Sequence, residues 1–339
     1  MRYYSKSRVE TGLTCQRKRW WAYEAGGTGY TWPATSLPLT IGTVVHDALG
    51  GIAEGHDVED VALAAREEML STLSHSSTAP EQAALVEGLV RGFVRHVWPF
   101  YQTQFTEVVA VEKMLEYKQS PNLTFLCKPD LLVRDADGNL HYIEYKTTSS
   151  IKGSWFNSWQ TAIQLHSAAK VVKEVLNEDL TSIHVQGLYK GYSSYGKQGS
   201  PFCYGYCMEG QPPLSSDQWS YEYRGGFYRR PTWEMSGGVK GWVEGMPRNV
   251  LAKQFPLTPA IFPDHDLIDA FFRQCEAREK EISEATNIDL TFRQNFSQCS
   301  PAFGFDCQYM ELCHGQQHPI DAGFERREPH HEAERKELE

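Results

Sequence analysis

Apolar residues recur at helical spacing through the first third of the chain, switch to strand-like runs near residue 105, and return to helical spacing towards the end. Thr40 is placed to cap a helix running from Ile41 to Ala53, a second periodic run spans Val58 to Leu73, and a third spans Glu81 to Tyr101. In the third run Leu85, Leu89, Phe93 and Val97 share one face. The strand regime opens at Glu107-Val108-Val109-Ala110-Val111. It continues in Leu131-Leu132-Val133 and Leu140-His141-Tyr142-Ile143, which flank the turn Asp137-Gly138-Asn139 and so predict a hairpin. A helix from Asn157 to Val175 and a strand from Ile183 to Tyr189 follow. Residues 191–238 are rich in Gly, Pro, Tyr and Trp and read as hairpins and loops; helical spacing resumes from Asp264 to Ala285. The charged end, His318 to Glu339, is expected to fray. Helices, strands, a helix and a further strand make an α/β fold with a mixed sheet.

Size and charge narrow the picture. A chain of 339 residues, 41% hydrophobic, can bury a full core in one large domain or in one domain with an appendage. The first ten residues contain no apolar run and no stretch approaches a membrane span, so a cytoplasmic protein without membrane partners is expected. The formal net charge of −10 argues against non-specific coating of nucleic acid. Charge is segregated, however: Arg2, Lys6, Arg8, Arg17, Lys18 and Arg19 face a single Glu10 within the first twenty residues. A groove can therefore be basic while the outer surface is acidic.

The hairpin carries the chemistry. Asp130 precedes its first strand and Glu144 and Lys146 end its second; alternation points Glu144 and Lys146 to one face and Tyr145 to the other. Two carboxylates and an ammonium in one pocket suit a hard cation such as magnesium or manganese and the water it activates. Taken alone, Asp followed by Glu-x-Lys more often marks an exposed strand. Its neighbours raise its weight: His46 lies on an upstream helix within Gly42-Thr43-Val44-Val45-His46, and Gln164 lies on the helix after Lys146. Gly191 to Lys197 mimics a phosphate loop, but Gln198 stands where such a loop carries Ser or Thr, and Gly199-Ser200-Pro201 prevents the helix it must open. The aromatic and basic run from Tyr221 to Trp233 suits base stacking or ordinary β packing equally.

Eight cysteines without a secretory signal point to metal binding or buried thiols rather than disulfides. Cys299, Cys307 and Cys313 are too closely spaced for simple burial, and no Cys-x2-Cys knuckle of a zinc site is present. An iron–sulfur cluster fits better than zinc, with Cys15 as the natural fourth ligand. Cys203 and Cys207 alternate in a tyrosine-rich run and are expected to pack.

Together these positions resemble the RecB-like branch of the PD-(D/E)XK nuclease superfamily, in its iron–sulfur members, a group that includes CRISPR-associated adaptation nucleases, AddB nuclease domains and phage exonucleases. The resemblance runs from Ser5-Lys6-Ser7-Arg8 and Cys15-Gln16-Arg17-Lys18-Arg19-Trp20-Trp21 through Gly42 to His46, Lys128-Pro129-Asp130, Glu144-Tyr145-Lys146 and Gln164 to the C-terminal cysteines. It implies that His46, Asp130 and Glu144 bind Mg2+ or Mn2+ with help from the Tyr145 carbonyl. Lys146 would position the attacking water, and Gln164 would support site and substrate. It further implies a 4Fe-4S cluster on Cys15, Cys299, Cys307 and Cys313, tying the chain ends together. Two departures stand out: Ala168 occupies the place where relatives carry Tyr four residues after Gln, and Cys299 lies farther from Cys307 than is usual. Glu112 sits where relatives often place an acidic residue, and a solvated strand residue is an equally good reading.

The expected architecture is a restriction-endonuclease-like core with a helical block and a cluster staple. Its segments are a basic start (1–36), the helical block (37–104), the nuclease core (105–190), an aromatic β-rich appendage (191–262), a helix with the cysteine cluster (263–315) and a charged tail (316–339). The expected activity is a metal-dependent DNA exonuclease of recombination, repair or phage DNA processing. Lacking a helicase motif, it would take ends or single strands supplied by a helicase or recombination partner. The alternatives are a non-cleaving nucleic-acid-binding module and a restriction-type endonuclease.

Overall fold

The computed structural model describes residues 2–33, 36–151, 153–190, 254–300, 306–315, 318–329 and 332, with short strands at Ser193–Ser194, Pro201–Phe202, Trp219–Tyr223 and Gly226–Arg229. The phosphate-loop mimic beyond these strands, Cys203, Cys207 and most of the 191–253 segment lie outside the described residues.

A four-stranded mixed sheet organises the rest. Strands β3 (Phe105–Val111), β6 (Leu131–Asp135), β7 (Leu140–Thr148) and β8 (Leu180–Tyr189) lie in that order. The first three run antiparallel, and β8 joins β7 in parallel. The expected hairpin forms, with Leu131 opposite Ile143 and Val133 opposite His141. Its turn is held by Asp135, whose carboxylate accepts the Asp137 and Asn139 amides at 3.0 and 2.8 Å, while Gly138 supplies the left-handed residue. A second sheet, β1 (Arg2–Ser5), β5 (Leu123–Cys127) and β4 (Leu115–Ser120), runs on from the first through the short Lys128-Pro129-Asp130 link.

Two cores clamp the main sheet. On one side Leu131, Val133, Ile143 and Tyr145 pack against helices α3 (Leu37–Ala53), α4 (Val58–Thr72) and α5 (Ala79–His96). The expected stripe Leu85, Leu89, Phe93 and Val97 is buried there. On the other side Leu132, Leu140 and Tyr142 meet α8 (Ile163–Leu176) and the helix His265–Ser283. The long helix begins where expected, Asp264 capping it by accepting the Leu267 amide.

Three expectations need correction. Thr40 does not cap α3, because Pro38 fits the first turn and the helix starts at Leu37 behind Ser36; Thr40 instead bonds back to the Ser36 carbonyl at 3.4 Å. The helix expected from Asn157 to Val175 is two, α7 (Gly153–Ser158) and α8, separated by a turn whose Gln160 carbonyl pairs with the His166 ring at 2.8 Å. The charged tail does not fray at its start: Glu325–Arg326 pairs with Tyr30–Thr31, and Phe324 is buried against Tyr309. Apolar anchoring there outweighs the surrounding charge.

The chain leaves β8 at Lys190 and returns at Gln254, whose side-chain amide donates to the Tyr189 carbonyl at 2.9 Å. Residues 254–261 then lie along the open edge of β8, bridging Gln186 to Leu257 and Ile183 to Ile261. Among the described residues, no helix is long and apolar enough to cross a membrane.

Candidate active site

Where the hairpin meets α3, a cleft of about 500 Å³ is lined by His46, Asp47, Glu112, Lys128, Asp130, Lys146, Thr147 and Lys190. A larger cleft, about 600 Å³, lies away from these residues around Arg2, Ser120, Asn122 and Glu276, and its Glu279 is already neutralised by arginines. Of the sequence-predicted site residues, His46, Asp130 and Lys146 line the smaller one.

His46 extends from the middle of α3, and its Nδ1 stands 3.5 Å from Asp130 Oδ2. Burial draws the imidazolium pKa down, but the hydrogen bond and charge of Asp130 outweigh it and the net shift is upward. Asp130 is fixed from the other side by the Tyr145 amide, which donates to Oδ2 at 2.7 Å. His46, Glu112 and Asp130 each offer one ligand atom, all within 4.8 Å of one another. One imidazole nitrogen and two carboxylate oxygens form a donor set that fits a hard divalent cation.

Glu112 reaches this group through an unusual backbone. It ends β3 with φ of 42°, a left-handed conformation rare for a residue with a side chain, while its amide still bonds the Asp130 carbonyl at 2.9 Å. Lys128 meets its carboxylate at 2.6 Å. The strand pattern alone gives no sign of this turn; the signals for Glu112 are its place at the end of an apolar run and the acidic residue that the family resemblance expects there.

Glu144 is placed differently from the ligand role expected of it. It is 1% exposed and lies on the face of β7 that meets α8, where Tyr142, Lys146 and Gln164 all donate to its carboxylate. Both oxygens are thus engaged by protein groups. Burial, then the charge of Asp130, raises its carboxyl pKa to about 7 against the pull of Lys146. Lys146 is raised in turn: burial pulls it down, and the Glu144 and Asp130 charges more than compensate. Gln164 is steadied by Lys6, whose ammonium donates to Oε1 at 3.0 Å. Ala168, one turn on, is buried in the core and offers the cleft nothing. Tyr145 points to the opposite core against Phe93, as alternation requires, and touches the site through its amide.

The four expected cluster cysteines converge on one corner. Cys15 joins α1 (Lys6–Thr14) to α2 (Gln16–Tyr23), and its sulfur accepts the Asn295 amide at 3.3 Å. The Cys299 thiol donates to the Asn295 carbonyl at 3.8 Å, and the Cys307 amide donates to the Cys299 carbonyl at 2.8 Å. Burial raises the Cys313 pKa against a hydrogen bond with Trp21, and Cys307 and Cys15 lie near enough to add to the rise. All four are free thiols, whereas Cys127 and Cys275 pack in the core.

Residues 3–314 match the family model described as the PD-(D/E)XK nuclease superfamily. No curated protein matches the chain.

Proposed function

Because this chain belongs to the PD-(D/E)XK nuclease superfamily, we propose that it is a DNA exonuclease that hydrolyses phosphodiester bonds with Mg2+ or Mn2+. The observation that carries this reading is the convergence of His46, Glu112, Asp130 and Lys146 on one cleft, with Glu144 buried behind Lys146. When bound, the cation supplies a water of lowered pKa and positive charge opposite the developing phosphorane. His46, Glu112 and Asp130 would hold it. Lys146, fixed by Glu144, orients the water and offsets negative charge in the transition state. Gln164 holds Glu144 in register, and Lys6 holds Gln164. Glu144 already accepts three donors, which leaves its carboxylate about one lone pair to offer a cation.

Linear and covalently closed circular DNA, incubated with Mg2+ or Mn2+, separate the readings. The exonuclease degrades end-labelled linear strands and spares the circle. Nicking of the circle would instead favour the restriction-type reading. No cleavage of any substrate would leave a non-cleaving DNA-binding module.

We further propose that Cys15, Cys299, Cys307 and Cys313 hold a 4Fe-4S cluster. An all-thiol donor set drawn from both chain ends supports this. Protein purified without oxygen should contain iron and acid-labile sulfide and absorb in the visible. Zinc without iron would refute the cluster.

A further inference from the structure

Four lysines surround the candidate site, and one differs from the rest. Lys6 pairs with Glu10 at 2.9 Å, Lys128 with Glu112 at 2.6 Å, and Lys146 with Glu144. Lys190, at the end of β8, donates to the Pro38 carbonyl at 2.6 Å and to Thr147 Oγ1 at 3.3 Å. Among the described residues no carboxylate pairs with it. Burial lowers its pKa, the opposite of the shift at Lys146. Carbonyl and hydroxyl dipoles compensate a half-buried ammonium only in part, and an anion from outside the protein would complete it.

The cleft is polarised. His46, Asp47, Glu112 and Asp130, with Lys128 paired to Glu112, line its acidic end, whereas Lys146, Thr147 and Lys190 line it beside the first turns of α3. Gly42 keeps the cleft narrow beside α3: a Cβ there would approach Thr147 Oγ1 to 3.3 Å, so α3 lies directly against the strand ends. A nucleic-acid strand with its scissile phosphate at the acidic end has further phosphates at regular intervals along its backbone. We infer that Lys190, with the Thr147 hydroxyl, seats a neighbouring backbone phosphate and so sets how the strand lies across the cleft. This inference rests on the nuclease reading for the identity of the ligand, but its readout is binding rather than cleavage.

The test compares Lys190→Met and Lys190→Arg in an Asp130→Asn background, with a single-stranded oligonucleotide as probe. Lys190→Met should weaken binding roughly tenfold and reduce the slope of log affinity against log salt by about 0.7, the contribution of one phosphate. Lys190→Arg should restore most of both. A scan of oligonucleotides carrying one neutral methylphosphonate each should find a position where the protein with Lys190 loses affinity and the Lys190→Met protein loses no more. In the cleaving protein Lys190→Met should raise KM more than it lowers kcat. An unchanged salt slope with an additive methylphosphonate profile would make Lys190 a strut between β8 and α3 and overturn the inference, as would failure to bind DNA. Lys190-dependent binding without cleavage would sink the nuclease reading and leave the phosphate seat standing.

Discussion

Asp130→Asn should lower cleavage by about three orders of magnitude, because it removes the carboxylate shared by His46, the Tyr145 amide and the cation-binding group. Losing one anionic ligand forfeits several kcal/mol of transition-state charge stabilisation. Lys146→Ala should cost roughly 10²–10³ in kcat, the usual effect of deleting one charge-stabilising donor. Metal affinity separates the two variants. Manganese binding, followed by calorimetry, should weaken sharply in Asp130→Asn and change little in Lys146→Ala. Wild-type rates in Asp130→Asn would remove this cleft from consideration as the active site.

The same residues give the metal-free protein a definite pH response. Glu144 titrates near 7 in the folded chain against an ordinary value of 4.5. The native state therefore binds more protons than the unfolded state between these values, and stability in chelator should fall as pH rises through that window. His46, also raised, acts with the same sign: its contribution is present at low pH and is lost as pH rises through its folded pKa. Added manganese should consequently stabilise the protein more at pH 8 than at pH 5.5, with proton release on binding. Glu144→Gln should flatten the chelator profile, and thermal melts across pH would show it. A profile unchanged by that substitution would contradict the assignment.

Glu279→Ala should destabilise the fold by about 3–5 kcal/mol, the cost of breaking a buried ion pair from one side. Glu279 and Arg19 are each 2% exposed in their side chains and pair directly; Arg2 reaches Glu279 at 2.6 Å. Glu24 collects Arg2 at 2.7 Å, Arg8, and Arg19 at 3.4 Å. Three guanidinium groups thus share two carboxylates, and removing Glu279 leaves Arg19 buried against its more distant partner. Burial works against the Glu279 carboxylate, but the arginines win and hold its pKa below the ordinary value. Urea unfolding should show a lower midpoint with an unchanged slope. A loss below about 1 kcal/mol would mean that water enters the network when the carboxylate is cut away.

Much of the site was legible because its signals are local. The hairpin follows from apolar runs around Asp137-Gly138-Asn139, and alternation places Glu144 and Lys146 together on one face. The helical block follows from stripes such as Leu85, Leu89, Phe93 and Val97. What escaped was non-local or conformational. Arg2–Ser5 reads as a basic start, yet it is a parallel strand against Leu123–Leu126, a pairing that no window around residue 5 can register. The Arg2, Arg8, Arg19, Glu24 and Glu279 network looks like ordinary surface charge until the helix His265–Ser283 lies across it. Glu112 reads equally well as a solvated strand residue, and it meets His46 and Asp130 through one left-handed φ, which composition does not encode. The engagement of Glu144 by Tyr142 was likewise hidden, although the two share a face by the same alternation.

The hydrogen bond from Gln254 to the Tyr189 carbonyl has an architectural consequence. For the sheet and its cleft, the polypeptide between Lys190 and Gln254 is an excursion whose two ends already touch. Closing a loop costs only about 0.6 kcal/mol more for each doubling of its length. That junction can therefore host insertions that differ twofold in length at nearly the same cost to the core. His46, Glu112 and Asp130 come from other parts of the chain, and Lys190 is the last residue before the excursion.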